Sequence, residues 1–301
     1  MPSGARPRGE RAGQGASGWL PPPGRRPFVI AGPCVLEAET MVLRTAEALA
    51  RAARAHKLPL VFKASYLKDN RTSVHSFVGP GLDAGLALLA KVRREVGLPV
   101  LTDVHGVEEV AAVAEVVDVL QVPAFLCRQT RLLQACARAG PTVNIKRGQF
   151  LAFDDMRDVV EKARAARESV ALLLTERGSS FGYHDLVVDM RAIAFMRTLG
   201  GRVVFDATHA LQHPGRGGCR EFARPLARAA LGAGAEGIFA ETHPDPARAL
   251  SDATTQLPLE VMPALFAEWR ALGELVAELE SAGPALDERR PAAERVRGEN
   301  G

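Results

Sequence analysis

Short apolar runs recur along the chain, and each ends in polar or charged residues before a helical pattern takes over. The runs fall at residues 27–31, 60–63, 99–102, 119–122, 142–145, 170–175, 202–205 and 237–240. The helical patterns that follow cover 39–56, 83–96, 108–117, 129–138, 154–167, 185–199, 221–231 and 259–279. The runs are continuously apolar rather than alternating, as parallel strands covered on both faces must be. Eight such units, spaced roughly 25 to 35 residues apart, predict one α/β domain, a (β/α)8 TIM barrel over residues 27–280. A doubly wound open sheet would want a GxGxxG turn after its first strand, and none is present there.

The ends read differently. Residues 1–26 are rich in Gly, Pro, Arg and Ser, with three prolines in a row at 21–23, and carry too little apolar surface to order themselves. Glu10 and the lack of an apolar stretch argue against a secretory signal. A second disordered tail is expected over 281–301. The hydrophobic fraction of 47% leaves ample core, and a net charge of +3 is too small to argue for a nucleic-acid partner. Four cysteines without a CxxC pair read as reduced thiols of a cytoplasmic protein. No apolar run approaches the ~18 residues of a membrane span.

A barrel of this kind carries its chemistry at the C-terminal ends of its strands. The residues there are Cys34, Lys63, Asp103, His105, Gln121, Lys146, Arg177, Asp206, His209 and Glu241. The loop after the second strand, FKASYLKDNRTSVHS at 62–76, adds Lys68, Asn70, Arg71, Thr72 and Ser73. A guanidinium fork, two ammonium groups and short hydroxyl or amide donors make a socket for phosphate or carboxylate. A Schiff-base aldolase would also place a lysine at a strand end, so Lys63 or Lys146 could instead be a nucleophile. Cys34, His209 and Glu241 close the first, seventh and eighth strands, which are neighbours around a barrel, and Asp252 follows in the next loop. A thiolate, an imidazole and two carboxylates suit a divalent transition metal. Taken singly, Cys34 could be a buried thiol, His209 a general base and Asp252 a helix cap, and His105 or His243 could substitute as ligands.

These residues lie in motifs that resemble the 3-deoxy-D-manno-octulosonate-8-phosphate synthase family over about residues 28–259. The motifs are AGPC (31–34), FKAS (62–65), TDVH (102–105), QVPAFLCRQT (121–130), NIKRGQF (144–150), ERGSSFGY (176–183), DATH (206–209) and ETHPDP with SDA (241–253). The sister family, 3-deoxy-D-arabino-heptulosonate-7-phosphate synthase, typically has KPRTS where this chain has KDNRTS, and the Asn favours arabinose 5-phosphate over erythrose 4-phosphate. The resemblance implies condensation of phosphoenolpyruvate with arabinose 5-phosphate, a step toward lipopolysaccharide. It implies that Lys63, Lys68, Gln121, Lys146 and Arg177 hold phosphoenolpyruvate, with the backbone at Ala124 and Phe125. Asn70, Arg71, Thr72 and Ser73 would hold the sugar phosphate, with Arg128 reaching it across a subunit interface of a homotetramer. Lys63, Asp103, His209 and Asp252 are the implied catalytic set. Cys34, His209, Glu241 and Asp252 are the implied ligands of a divalent Zn, Fe, Mn or Co ion, since one branch of the family has Cys in AGPC and needs a metal while the other has Asn.

Three departures stand out against the family. The stretch 211–219, expected to cover the site, is several residues short. Arg147 replaces a common second Lys, which keeps charge but not geometry. The two tails have no family counterpart.

Overall fold

The apolar runs form strands, and most reach one or more residues further toward their polar ends than the runs themselves. In the computed structural model they are β1 (Phe28–Gly32), β2 (Leu60–Lys63), β3 (Val100–Asp103), β4 (Val119–Val122), β5 (Thr142–Lys146), β6 (Ala171–Glu176), β7 (Arg202–Asp206) and β8 (Gly237–His243). The extra residues belong to the ladder because they pair across it: Asp103 with Gln121, Lys146 with Thr175, and Gly32 with Glu241. All neighbours are parallel, and β8 pairs back onto β1, which closes the barrel. The expected (β/α)8 fold is the fold of this chain. The structure describes residues 19–20 and 27–283, apart from Thr72, Pro141, Pro214 and Gly215.

The outer helices are α1 (Glu39–Ala55), α2 (Leu82–Val96), α3 (Val110–Val116), α4 (Thr130–Ala139), α5 (Met156–Ala166), α6 (Arg191–Arg197), α7 (Ala223–Gly232) and α8 (Met262–Ala282). Each lays its apolar side on the outer face of the strands, in one large cluster that includes Val29, Phe62, Val143, Val203 and Trp269. The expected helix at 185–199 is much shorter. Gly182, at φ 66°, turns the chain back, and Leu186–Val187 pairs antiparallel with Ser179–Ser180 before α6 begins. Tertiary pairing has overridden a local helical pattern there.

Inside the barrel, alternate residues of the strands build a second, separate cluster: Phe28, Ile30, Val61, Leu101, Val119, Leu173, Val204 and Phe239. This apolar plug fills the lower barrel, so the polar residues one step further along each strand form its upper layer. Of the stretch expected to be an N-terminal tail, Trp19 and Leu20 pack against this plug, with the Trp19 ring edge-on to Phe28 at 6.2 Å. At the other end α8 runs two residues past the expected boundary at 280. The rest of both expected tails lies outside the described residues.

Candidate active site

The upper layer begins as a hydrogen-bond chain across five strand ends that converges on Asp103. The Thr175 hydroxyl donates to the Asn144 carbonyl oxygen at 2.6 Å, and the Asn144 amide donates to Gln121 at 2.7 Å. Gln121 donates to Asp103 at 2.5 Å, and the Ser65 hydroxyl donates to the other Asp103 oxygen. All five side chains are buried, and every donor points toward one carboxylate. Burial alone would push the Asp103 carboxyl up, but the Lys63 and Lys68 charges, with His105 and the Gln121 amide, hold it below the usual range.

The cations divide into two groups. Lys63, Lys146 and Arg177 are buried within the mouth, on the ends of β2, β5 and β6. Lys63 Nζ donates to Glu241 Oε1 at 2.5 Å and to the Cys34 carbonyl at 2.9 Å. That close pass of β1 against β2 requires Gly32, since a Cβ there would lie 2.0 Å from the Lys63 carbonyl oxygen. Lys146 pairs with Asp206 and sits 3.5 Å from the centre of the Phe239 ring. Burial pushes its ammonium down, against the pull of Asp206. Arg177 gives Nη2 to the Gln212 side-chain oxygen at 2.8 Å, while its buried Nη1 has no hydrogen-bond partner among the described residues. A buried guanidinium nitrogen without an acceptor is costly, and an incoming anion would satisfy it. Lys68 and Arg71 form the second, less buried group. Lys68 Nζ lies 3.8 Å from Glu241 Oε1, and Arg71 donates to Ser251 Oγ at 2.7 Å and to the Leu250 carbonyl at 3.1 Å. Arg71 thus ties the loop after β2 to the loop after β8.

The acid–thiol cluster sits beside both groups. Side-chain donor atoms of Cys34, Glu241 and Asp252 lie within 4.8 Å of one another. Cys34 Sγ is 3.0 Å from Asp252 Oδ2 and 3.1 Å from Ser251 Oγ. Asp252 has φ 48°, a left-handed backbone that a non-glycine residue adopts at a cost of about 1 kcal/mol. His209 joins through its other nitrogen: Nδ1 faces Asp206 Oδ2 at 2.8 Å, and Nε2 is 3.5 Å from Glu241 Oε2 and 3.8 Å from Asp252 Oδ2. Asp206 fixes the ring through Nδ1, which turns Nε2 toward the two carboxylates.

These residues fit a divalent cation. Lys63 occupies only one oxygen of Glu241, and the other, Oε2, is buried with no hydrogen-bond partner among the described residues. Burial, reinforced by Glu241, pushes the Cys34 thiol well above its ordinary pKa, and a cation between the acids would reverse that. Glu241 itself would be raised by burial, but His209, Lys63, Lys68 and Lys146 hold it ionised.

The structure therefore gathers Cys34, Lys63, Lys68, Arg71, Asp103, Gln121, Lys146, Arg177, His209, Glu241 and Asp252 at one mouth. Asn70 and Ser73 are exposed on the loop after β2, and Thr72 lies outside the described residues. Ala124 sits in a single helical turn after β4, with Phe125 and Arg128 exposed nearby. His105 stays with Tyr66 and Glu109, and His243 accepts from the Asp245 N–H and faces Glu37, so neither joins the acid–thiol cluster. Sequence reasoning did not find Ser251 or Gln212. Ser251 touches both Cys34 and Arg71, and Gln212 lies between Arg177 and Asp252, 3.4 Å from the latter. Gln212 belongs to the stretch 211–219, in which Gln212–His213 pairs antiparallel with Gly217–Gly218. Only the position of that strand pair over the mouth marks the residue.

A closed barrel that gathers buried cations, an ionised polar layer and an acid–thiol cluster at the C-terminal ends of its strands is an enzyme's architecture for anionic substrates. The chain belongs to the DAHP synthetase I family, whose model matches residues 22–278. It is 52% identical over 258 residues to a 2-dehydro-3-deoxyphosphooctonate aldolase of Trichlorobacter lovleyi, covering 84% of this chain and 94% of that one. A protein of the same name from Acidithiobacillus ferrooxidans is 57% identical over 237 residues, 77% of this chain and 84% of the other. A third, from Geobacter metallireducens, is 52% identical over 259 residues, 84% and 95% of the two chains.

Proposed function

We propose that this chain condenses phosphoenolpyruvate with D-arabinose 5-phosphate and water to give 3-deoxy-D-manno-octulosonate 8-phosphate and inorganic phosphate. The observation that carries the reading is the meeting, at one mouth, of a deep pocket of buried cations with Lys68 at its edge, the shallower Arg71 on the loop after β2, and the acid–thiol cluster. Two anionic reactants need two cationic seats, and each seat lowers the repulsion that would keep them apart. The relatives' shared name and the KDNRTS run support arabinose 5-phosphate over erythrose 4-phosphate.

In this reading Lys63, Lys146 and Arg177 bind phosphoenolpyruvate with Lys68, Gln121 and the backbone of Ala124 and Phe125. The unpartnered Arg177 Nη1 takes a phosphate or carboxylate oxygen. Arg71, Asn70, Thr72 and Ser73 seat the sugar phosphate, and the exposed Arg128 reaches the site of a neighbouring copy in a homotetramer. C3 of the enol phosphate bonds to the aldehyde carbon, water oxygen bonds to C2, and the C2–O bond to phosphate breaks. The water gives up both protons, one to the aldehyde oxygen and one to the departing phosphate, which leaves C2 a ketone; Lys63, Asp103, His209 and Asp252 are the groups we assign to carry them. Cys34, His209, Glu241 and Asp252 would hold a divalent ion, with Asp206 orienting His209. Such an ion supplies Lewis-acid polarisation of the sugar carbonyl or of water. Lys63 and Lys146 each hold their Nζ against a carboxylate, Glu241 and Asp206, and attack on a substrate carbonyl as a Schiff-base nucleophile would break that pairing. Among the described residues no helix is long and apolar enough to cross a membrane. The four free cysteines fit a cytoplasmic enzyme.

The test is phosphate release from phosphoenolpyruvate by metal-supplemented protein with each sugar in turn. Arabinose 5-phosphate should be the better acceptor. Faster release with erythrose 4-phosphate would reassign the substrate, and binding without release from either would make the chain a sugar-phosphate-binding barrel rather than an enzyme.

A further inference from the structure

Lys146 and Arg177 are each adjacent in sequence to a buried residue of opposite charge from its counterpart across the strands. Arg147 follows Lys146, and Glu176 precedes Arg177. Arg147 Nε donates to Glu176 Oε2 at 2.6 Å and Nη2 to Glu176 Oε1 at 2.5 Å, a two-pronged pair with side chains 1% and 0% exposed. Arg147 Nη1 donates to the Leu151 carbonyl at 2.5 Å and, more weakly, to that of Gly148 at 3.4 Å. The remaining N–H of Nη2 reaches Ser179 Oγ at 3.0 Å. All five guanidinium N–H groups are thus used, and Glu176 Oε1 also takes the Gly178 N–H at 2.7 Å. The backbone continues the join, with Arg147 N–H on the Thr175 carbonyl and Ser180 N–H on that of Gln149.

The pair therefore clamps the loop leaving β5 to the turn leaving β6. Successive residues of a strand point to opposite faces, so the clamp lies behind the mouth while Lys146 and Arg177 face into it. A lysine at 147 has three donors on one nitrogen and cannot span both Glu176 oxygens and the Leu151 carbonyl. We infer that Arg147 is a positioning residue: with Glu176 it sets the spacing between Lys146 and Arg177, and so the affinity for the phosphoenolpyruvate anion, without touching it. The inference rests on the proposed assignment of those two cations to phosphoenolpyruvate. The seat assigned to the sugar phosphate hangs from the loops after β2 and β8, and among the described residues Arg71 and the clamp share no hydrogen-bond partner, so a general loosening and a positioning effect have different signatures.

Arg147→Lys should raise the dissociation constant for phosphoenolpyruvate, measured by calorimetry, about tenfold, because small displacements of anchoring groups weaken anion binding steeply. The KM for phosphoenolpyruvate should rise in step, while the KM for the sugar phosphate stays within about twofold. Ser179→Ala, which frees one N–H of Arg147 and leaves the ion pair, should give a two- to threefold change in the same direction. That milder variant decides the matter if Arg147→Lys does not fold. Unchanged phosphoenolpyruvate affinity in a folded variant, or equal rises in both KM values, would overturn the inference. A wild type that binds phosphoenolpyruvate without turnover would sink the proposed reaction alone, since the calorimetric comparison still judges the clamp.

Discussion

Asp206→Asn tests how the two halves of the mouth are held together. One Asp206 oxygen accepts the backbone N–H groups of Thr208 and His209 at 3.0 and 2.8 Å, and an amide oxygen could replace it there. The other oxygen faces Lys146 and His209 Nδ1, and the substituted NH2 would meet two donors instead. Lys146 would keep the Phe239 ring, a 3.4 Å approach to His209 and the more distant charge of Glu241, but no carboxylate in direct contact. Charge-assisted hydrogen bonds are worth roughly 1.5–3 kcal/mol each, and stranding one member of a buried ion pair costs about 3–5 kcal/mol. We expect a loss of about 4 kcal/mol, which for a domain of this size lowers Tm by of order 10 °C. The measurement is thermal unfolding of metal-free protein followed by circular dichroism. A second readout is independent of stability: an unoriented His209 should weaken divalent-metal affinity about 10- to 100-fold in a competition titration. A variant that melts within about 2 °C of wild type and binds metal equally well would refute both the Lys146 pairing and the orientation of His209.

Arg71→Ala should raise the KM for the sugar phosphate roughly 10- to 150-fold, the loss of one charged contact, and Arg177→Ala should do so for phosphoenolpyruvate; equal effects on both substrates would refute the division of the mouth. Because Arg71 also grips Ser251, which touches Cys34, its removal should weaken metal binding as well, seen in the same competition titration. Wild-type protein should lose activity in chelator and regain it with added divalent metal, whereas Cys34→Asn should keep some activity that no longer responds to chelator; full activity of exhaustively chelated wild type would falsify the metal reading. Asp103→Asn should lower stability at neutral pH. The folded pKa of Asp103 lies below its unfolded value, so its contribution is full above the ordinary carboxylate range and fades as pH falls through it toward the depressed value. Denaturation profiles of variant and wild type should therefore converge in acid, and a constant gap down to low pH would contradict an ionised Asp103.

The barrel was legible in the chain because its signal is local. A buried parallel strand has to be apolar on both faces, and the polar residue that ends the run has to sit at the mouth, so the order of runs alone located Lys63, Asp103, Gln121, Lys146, Arg177, His209 and Glu241 at one end of one barrel. The short α6 escaped that logic because the hairpin at 179–187 depends on a turn and a cross-strand pairing that outweigh the helical pattern of its residues. The partners within the site were beyond local reading altogether. Lys63 meets Glu241 across 178 positions and Arg71 meets Ser251 across 180, and those encounters follow from barrel closure and from the path of the β8 loop. Composition could say that cations and carboxylates share the mouth. Which carboxylate neutralises which lysine, which Glu241 oxygen is left for a metal, and how Arg147 ties two strand ends together are set by inter-strand register, a property of the closed sheet and not of any segment within it.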